Sequence, residues 1–256
     1  MDHESMDLAE TKKITENIHG WLTDKEGVFL YDLAKNCTGK GAIVEIGSWQ
    51  GKSTVYLGAG SQAGNGVRVY AVDPHLGIPP LNDMKTFDIF RRNIETAGLT
   101  SIVRPLVMTS EKAAQTFDEP IELLFIDGNH DLDMVALDFS LWFPRLINGG
   151  TIIFHDTCSS REILAWPGPV AVAKKEIYGS ARCKNIRIVD TMTAAEKTVD
   201  VGKGNRLRNK LMLGKRAMRS MIFEKRYAYR EIFAGRMRLS ALFLYAGRAI
   251  KRRLIG

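Results

Sequence analysis

From Gly41 onward, short runs of continuous apolar residues alternate with longer segments in which apolar positions recur at helical spacing. AIVEI (42–46), VRVYAVD (67–73), SIVRPLV (101–107), IELLFID (121–127) and TIIFHD (151–156) are predicted strands, nearly continuous in apolar character as buried parallel strands are. The intervals leave room for crossover helices. The alternation predicts a doubly wound α/β sheet with right-handed crossovers, in which ligands lie beyond the carboxyl ends of the strands. Before the first strand, Thr23 and Glu26 have capping-box spacing and open a lead-in helix through Phe29, Leu30, Leu33 and Ala34. It is expected to cover the sheet or the mouth of the site. Gly149–Gly150 reads as the turn that launches the fifth strand, AVAKKEI (171–177) as a short helix, and NIRIVD (185–190) and EKTVDV (196–201) as two late strands.

Composition places the chain among soluble globular proteins: 256 residues, 45% hydrophobic and 25% charged, which excludes a disordered or fibrous chain. The formal charge of +7 suggests nucleic acid or an anionic surface as partner, but it is unevenly distributed. Residues 203–256 carry 16 Lys and Arg against Glu224 and Glu231, a net +14, which leaves residues 1–202 at −7. Three units follow: lead-in helices over 1–40, an α/β domain over 41–202, and a basic helical extension over 203–256. Cys37, Cys158 and Cys183 are odd in number and widely spaced, against a disulfide framework or a structural zinc site. The acidic start and the lack of a long apolar run predict a cytoplasmic protein that does not cross a membrane.

In the extension, Leu239, Leu242, Phe243, Ala246, Ile250 and Leu254 share one helical face, with Arg238, Arg248, Lys251 and Arg252 away from it and Arg253 on the apolar side. Such a basic amphipathic helix suits an anionic membrane surface, here the inner membrane face. Packing or a homo-oligomer contact is the second reading. Nucleic acid is the third, because the aromatic residues follow the apolar stripe more than they interleave with the bases.

The candidate chemistry sits where the strands end. VEIGSWQGKST (44–54) puts Glu45 near a strand end, then Gly47 and Gly51 before a helix whose first turn holds Ser53 and Thr54. Gly47 to Gly51 leaves three residues where a Walker loop needs four, and Trp49 replaces the middle glycine of a dinucleotide fingerprint. About 22 residues after Gly51, Asp73 ends the second strand, where a carboxylate can accept hydrogen bonds from two ribose hydroxyls. An adenosine-type ligand is implied. In the stretch 123–157, Asp127 and His130 follow one strand and His155 and Asp156 the next. Two carboxylates there can bind a hard divalent cation while a histidine handles a proton.

Together EIGSWQGKST, AVDPH, FIDGNHDLDMVALDFSLWFPRLINGG and IIFHD resemble the class I S-adenosylmethionine-dependent methyltransferases, in the branch with bacterial small-molecule and sugar O-methyltransferases. The resemblance covers roughly residues 25–202 and implies a Rossmann-like seven-stranded sheet whose last strand is antiparallel. It implies Glu45, Gly47, Ser48 and Gly51 around the methionine part of S-adenosylmethionine, Asp73 on its ribose, and Met108, Thr109 and Ser110 near its adenine. This sequence lacks the acid that the family commonly has at 108–110. Asp127 belongs to both the cofactor-binding and the catalytic set. In catechol-type relatives the matching acids bind Mg2+, which points to Asp127 and Asp156 as metal ligands with Thr157 in the third position. Without a metal, His130 or His155 would serve as base, and the Cys158–Gly168 loop with Trp166 lies where a lid would close over a small-molecule or glycan acceptor. The alternatives are a nicotinamide-dependent oxidoreductase and a non-catalytic module of the same fold that docks on membrane or RNA.

Overall fold

The structure is a computed structural model that describes residues 6–76, 86–160, 164–199 and 202–233. Seven strands form one sheet in the order β3-β2-β1-β4-β5-β7-β6. They are β1 (Ala42–Ile46), β2 (Val69–Val72), β3 (Val103–Leu106), β4 (Ile121–Ile126), β5 (Leu146–Phe154), β6 (Cys183–Val189) and β7 (Met192–Lys197). β1 to β5 pair in parallel and β7 runs antiparallel to both neighbours. This is the Rossmann-like arrangement expected from the sequence.

Strand alternation explains why both faces are covered. Ile43, Val69, Leu123 and Phe125 point into one cluster with Leu30, Val55 and Phe90. Their neighbours Val44, Leu124, Ile126 and Phe154 point into a second, with Phe139, Trp142 and Val172. Helices α1 (Leu8–Thr15), α2 (Asp24–Lys35), α3 (Lys52–Gln62) and α4 (Thr86–Thr96) serve the first side. The second is served by α5 (Ser110–Thr116), α6 (Leu132–Trp142) and α7 (Pro167–Ala173).

Three local expectations are corrected. The last strand is Met192–Lys197 rather than 196–201, because Thr193, Ala194 and Ala195 are buried by pairing with β5. Gly149 and Gly150 lie inside β5, which starts at Leu146, and they mark an irregular register against β4. The helix expected over 171–177 begins earlier, at Pro167, where a fixed φ and a missing N–H cost nothing in the first turn; Lys174–Tyr178 continues it as a wider turn. The capping box at Thr23 and Glu26 forms as expected.

α8 (Lys203–Phe233) packs against the body along part of its length. Asn209 donates to the Cys183 carbonyl at 2.8 Å, and Met212 and Leu213 rest on the second cluster. Arg219 pairs at 3.0 Å with Asp190, in the β6–β7 turn, whose other carboxylate oxygen accepts from the Thr23 hydroxyl at 2.9 Å. The face expected over Leu239–Leu254 lies outside the described residues. Among the described residues no helix is long and apolar enough to cross a membrane.

Candidate active site at the carboxyl ends of β1, β2, β4 and β5

The loop after β1 is built around two carboxylates. Glu45 is fully buried, and its oxygens accept from Ser53 and Thr54 in the first turn of α3, which locks the helix onto the strand. At the end of β2, Asp73 accepts the backbone N–H groups of Ser48 and Trp49 at 3.0 and 2.8 Å through one oxygen, and that of His75 at 2.7 Å through the other. Asp73 thus ties the glycine loop to the turn that follows β2. Gly47, at φ +87°, has no side chain because a Cβ there would collide with the Asp127 carbonyl, so the loop lies directly against the end of β4. The Ser48 hydroxyl is buried and has no hydrogen-bond partner among the described residues.

Glu45 also supplies a measurable pH effect. Burial pushes its carboxyl up to about 8, against the hydrogen bonds from Ser53 and Thr54. The folded chain thus favours the protonated acid, while an unfolded glutamate ionises near 4.5. Stability from this group is full below the unfolded value and is lost as pH rises through the folded one. Glu45→Gln keeps the shape and cannot ionise, so between about pH 5 and pH 8.5 its urea midpoint is expected to fall less than that of wild type. Parallel profiles would remove the argument.

A second group lies beyond β4 and β5. His155 is buried: its Nδ1 lies 3.2 Å from Asp127 and 3.3 Å from Asp156, and its Nε2 lies 3.4 Å from Glu26. Burial alone would lower its pKa, but the carboxylates of Asp127, Asp156 and Glu26 outweigh it and hold the imidazole protonated, well above its ordinary value. Burial works against the Asp156 anion too, yet His130 and His155 bring its pKa down to about 2. His130 Nε2 lies 2.9 Å from Asp156, and the His130 ring stacks on Trp166 at 4.9 Å. Asp156 itself has φ +54°, an uncommon conformation for a non-glycine residue, held by these contacts. Gly168, in the first turn of α7, allows that helix to start against the His130 carbonyl.

The sequence-predicted residues thus fall into separate places. Asp127, His130, His155 and Asp156 converge, and Glu45, Gly47, Ser48, Gly51 and Asp73 form the adjoining loop. Thr109 caps α5, and the Ser110 hydroxyl accepts from Trp142 Nε1 at 2.8 Å and bonds to buried Asp138, so both side chains serve local structure. Thr157 turns away as well: its hydroxyl is 3.0 Å from the Thr191 carbonyl and 2.7 Å from the Thr193 hydroxyl. Instead, Asp127, His130 and Asp156 each bring one potential ligand atom within 4.8 Å of one another.

Sequence reasoning missed two contributors. Glu26, read only as a helix cap, also accepts from the Thr191 N–H at 2.7 Å and hydroxyl at 2.6 Å and faces His155. On the other side of the glycine loop, Trp21 stacks on Trp49 at 4.9 Å with His19 edge-on to both. Trp49 holds φ +41° and Trp21 is 59% exposed, so a strained backbone presents an open aromatic face beside the site.

The sheet order, with the glycine loop bound to the acid of β2 and the acidic cluster after β4 and β5, is that of the Rossmann-like methyltransferase fold. Residues 44–157 match the family described as a methyltransferase domain. The fold is similar to an O-methyltransferase from Bacillus cereus in complex with S-adenosylhomocysteine, at 21% identity over 74% of this chain and 90% of that one, TM-score 0.51. A Podospora anserina methyltransferase bound to S-adenosylhomocysteine is similar at 14% identity over 77% and 91%, TM-score 0.57. The O-methyltransferase TomG of Streptomyces achromogenes, in complex with S-adenosylmethionine, is similar at 15% identity over 75% and 89%, TM-score 0.53.

Proposed function

We propose that the protein transfers the methyl group of S-adenosylmethionine to a hydroxyl oxygen of a small molecule or glycan, with residues 41–202 as the catalytic unit. The observation that carries this reading is the His130–Asp156 pair, beside Asp127 and across the sheet edge from the Asp73-bound loop. O-methyltransferases among the similar folds support it.

The residues fit the cofactor. Ser48 offers a buried hydroxyl with no partner among the described residues, and the carboxyl groups of Asp73 and Asp127 line the cleft, which suits a sulfonium and an ammonium. We assign Gly47, Ser48 and Gly51 to the methionine part, Asp73 to the ribose, and Glu45 to holding the loop in register. When bound, the cofactor supplies an electrophilic methyl carbon. The protein then has to hold the acceptor oxygen in line and take its proton.

For the proton we favour His130 over His155. His155 already carries its proton between three carboxylates, so its part is to hold Asp127 and Asp156 in place. His130 is a third exposed, and Asp156 at 2.9 Å from its Nε2 orients it, as a general base requires. Trp166, stacked on His130, would form one wall of the acceptor site, and the Trp21–Trp49 pair a flat surface for an acceptor ring.

A divalent cation is the second reading, favoured by the Asp127, His130 and Asp156 cluster. Two carboxylates and an imidazole suit Mn2+ or Zn2+ better than Mg2+, which prefers oxygen donors. Bound there, it would lower the pKa of the acceptor hydroxyl. Activity unchanged by a chelator supports the His130–Asp156 base; loss with EDTA and recovery with added metal supports the cation.

The cofactor reading is tested by calorimetry with S-adenosylhomocysteine. Wild type is expected to release heat. Asp73→Ala, which leaves three backbone N–H groups without their acceptor, is expected to bind at least about 100-fold more weakly. No heat with wild type, or equal affinity of the two proteins, would sink the proposal.

A further inference from the structure

α8 has two faces of opposite use. Asn209, Met212, Leu213, Arg216 and Ser220 turn to the body: Arg216 donates to the Thr157 carbonyl at 2.6 Å and Ser220 accepts from the Ser159 N–H at 3.0 Å. On the other side Leu207, Leu211, Met218 and Ile222 are 61%, 66%, 57% and 42% exposed. At 3.6 residues per turn these four fall in one stripe. Exposed Lys210 borders it on one flank, exposed Arg208 and Lys215 on the other, and exposed Lys225 continues its line.

Single exposed apolar side chains are ordinary, but four in register on one helix mark an interaction surface. Charge identifies the partner. α8 carries ten Lys and Arg against Glu224 and Glu231, on a body of net −7, so the occupant should be anionic at the flanks and apolar beneath the stripe. Nucleic acid meets only the first requirement. A bilayer with acidic headgroups meets both, with the leucines, methionine and isoleucine below the headgroups and the lysines at their level.

We propose that the solvent face of α8, centred on Leu211 and Met218, docks the protein in the plane of an anionic bilayer surface. The face lies within the described chain and does not depend on the 239–254 segment. Because Arg216 and Ser220 grip the loop that follows Asp156, a docked helix also fixes how that loop meets the lipid.

The test is cosedimentation of the full chain with vesicles of phosphatidylcholine alone or with about 30% phosphatidylglycerol. Wild type should bind the acidic vesicles, bind the neutral ones weakly, and be released by high salt. Leu211→Glu with Met218→Glu should lower the partition coefficient at least about tenfold. Lys210→Glu with Lys215→Glu, a change confined to the exposed flanks, should weaken binding to acidic vesicles alone. The proposal is overturned if wild type ignores acidic vesicles or the apolar double variant binds as wild type does. It is equally overturned if light scattering finds a wild-type dimer that this variant dissociates, since a second copy then covers the stripe. Calorimetry with S-adenosylhomocysteine on the same proteins reads the methyltransferase proposal separately, and neither result depends on the other.

Discussion

His130→Ala is expected to lower kcat by about 10²- to 10⁴-fold on any acceptor the enzyme turns over, the range for losing a general base. S-adenosylhomocysteine affinity should stay within about twofold, because His130 stands beyond β4 while the glycine loop is held by Asp73 and Glu45. Folding should change little: the side chain is a third exposed, and its partners are Asp156 and the face of Trp166. Single-turnover rates of variant and wild type at saturating acceptor check this. A fall of less than about fivefold would take the proton role away from His130 and leave the cation or bulk water to carry it.

Glu26→Ala should have the largest effect on stability, because one carboxylate does three jobs. It caps α2 through the Thr23 N–H at 2.9 Å, accepts twice from Thr191 in the β6–β7 turn, and faces the His155 imidazolium. Burial opposes its charge, but His155 and these hydrogen bonds prevail and hold its pKa below the ordinary value. Losing a helix cap alone costs about 1 kcal/mol, whereas removing one partner of a buried ion pair costs about 3–5 kcal/mol. Urea unfolding therefore separates the cap from the ion pair by magnitude. A loss near 1 kcal/mol would mean that His155 does not depend on Glu26 for its charge.

How far the sequence revealed this molecule depended on where each signal lay. β1 and β4 were legible because Ile, Val, Leu and Phe fill both faces of each strand. β7 was misplaced because Thr193, Ala194 and Ala195 are neither large nor markedly apolar, and only pairing with β5 makes them core. Asp127, His130, His155 and Asp156 could be grouped because neighbouring parallel strands bring their ends together. The third partner could not: Thr157 was next in sequence, but the chain after Asp156 turns its hydroxyl toward Thr191 and Thr193. Glu26 shows the same limit from the other side. Its capping pattern spans four residues and was visible, while its contact with His155 crosses 129 positions and leaves no periodic trace.

The two hydrogen-bonding arms of Asp190 have a bearing on how the protein comes apart. One oxygen accepts from Thr23 at the start of α2 and the other from Arg219 on α8, so a single side chain in a hairpin turn fastens an early element to a late one. The amides of α2 and α8 are then expected to exchange with solvent in a common opening rather than as independently fraying ends, and Asp190→Ala to split that event into two.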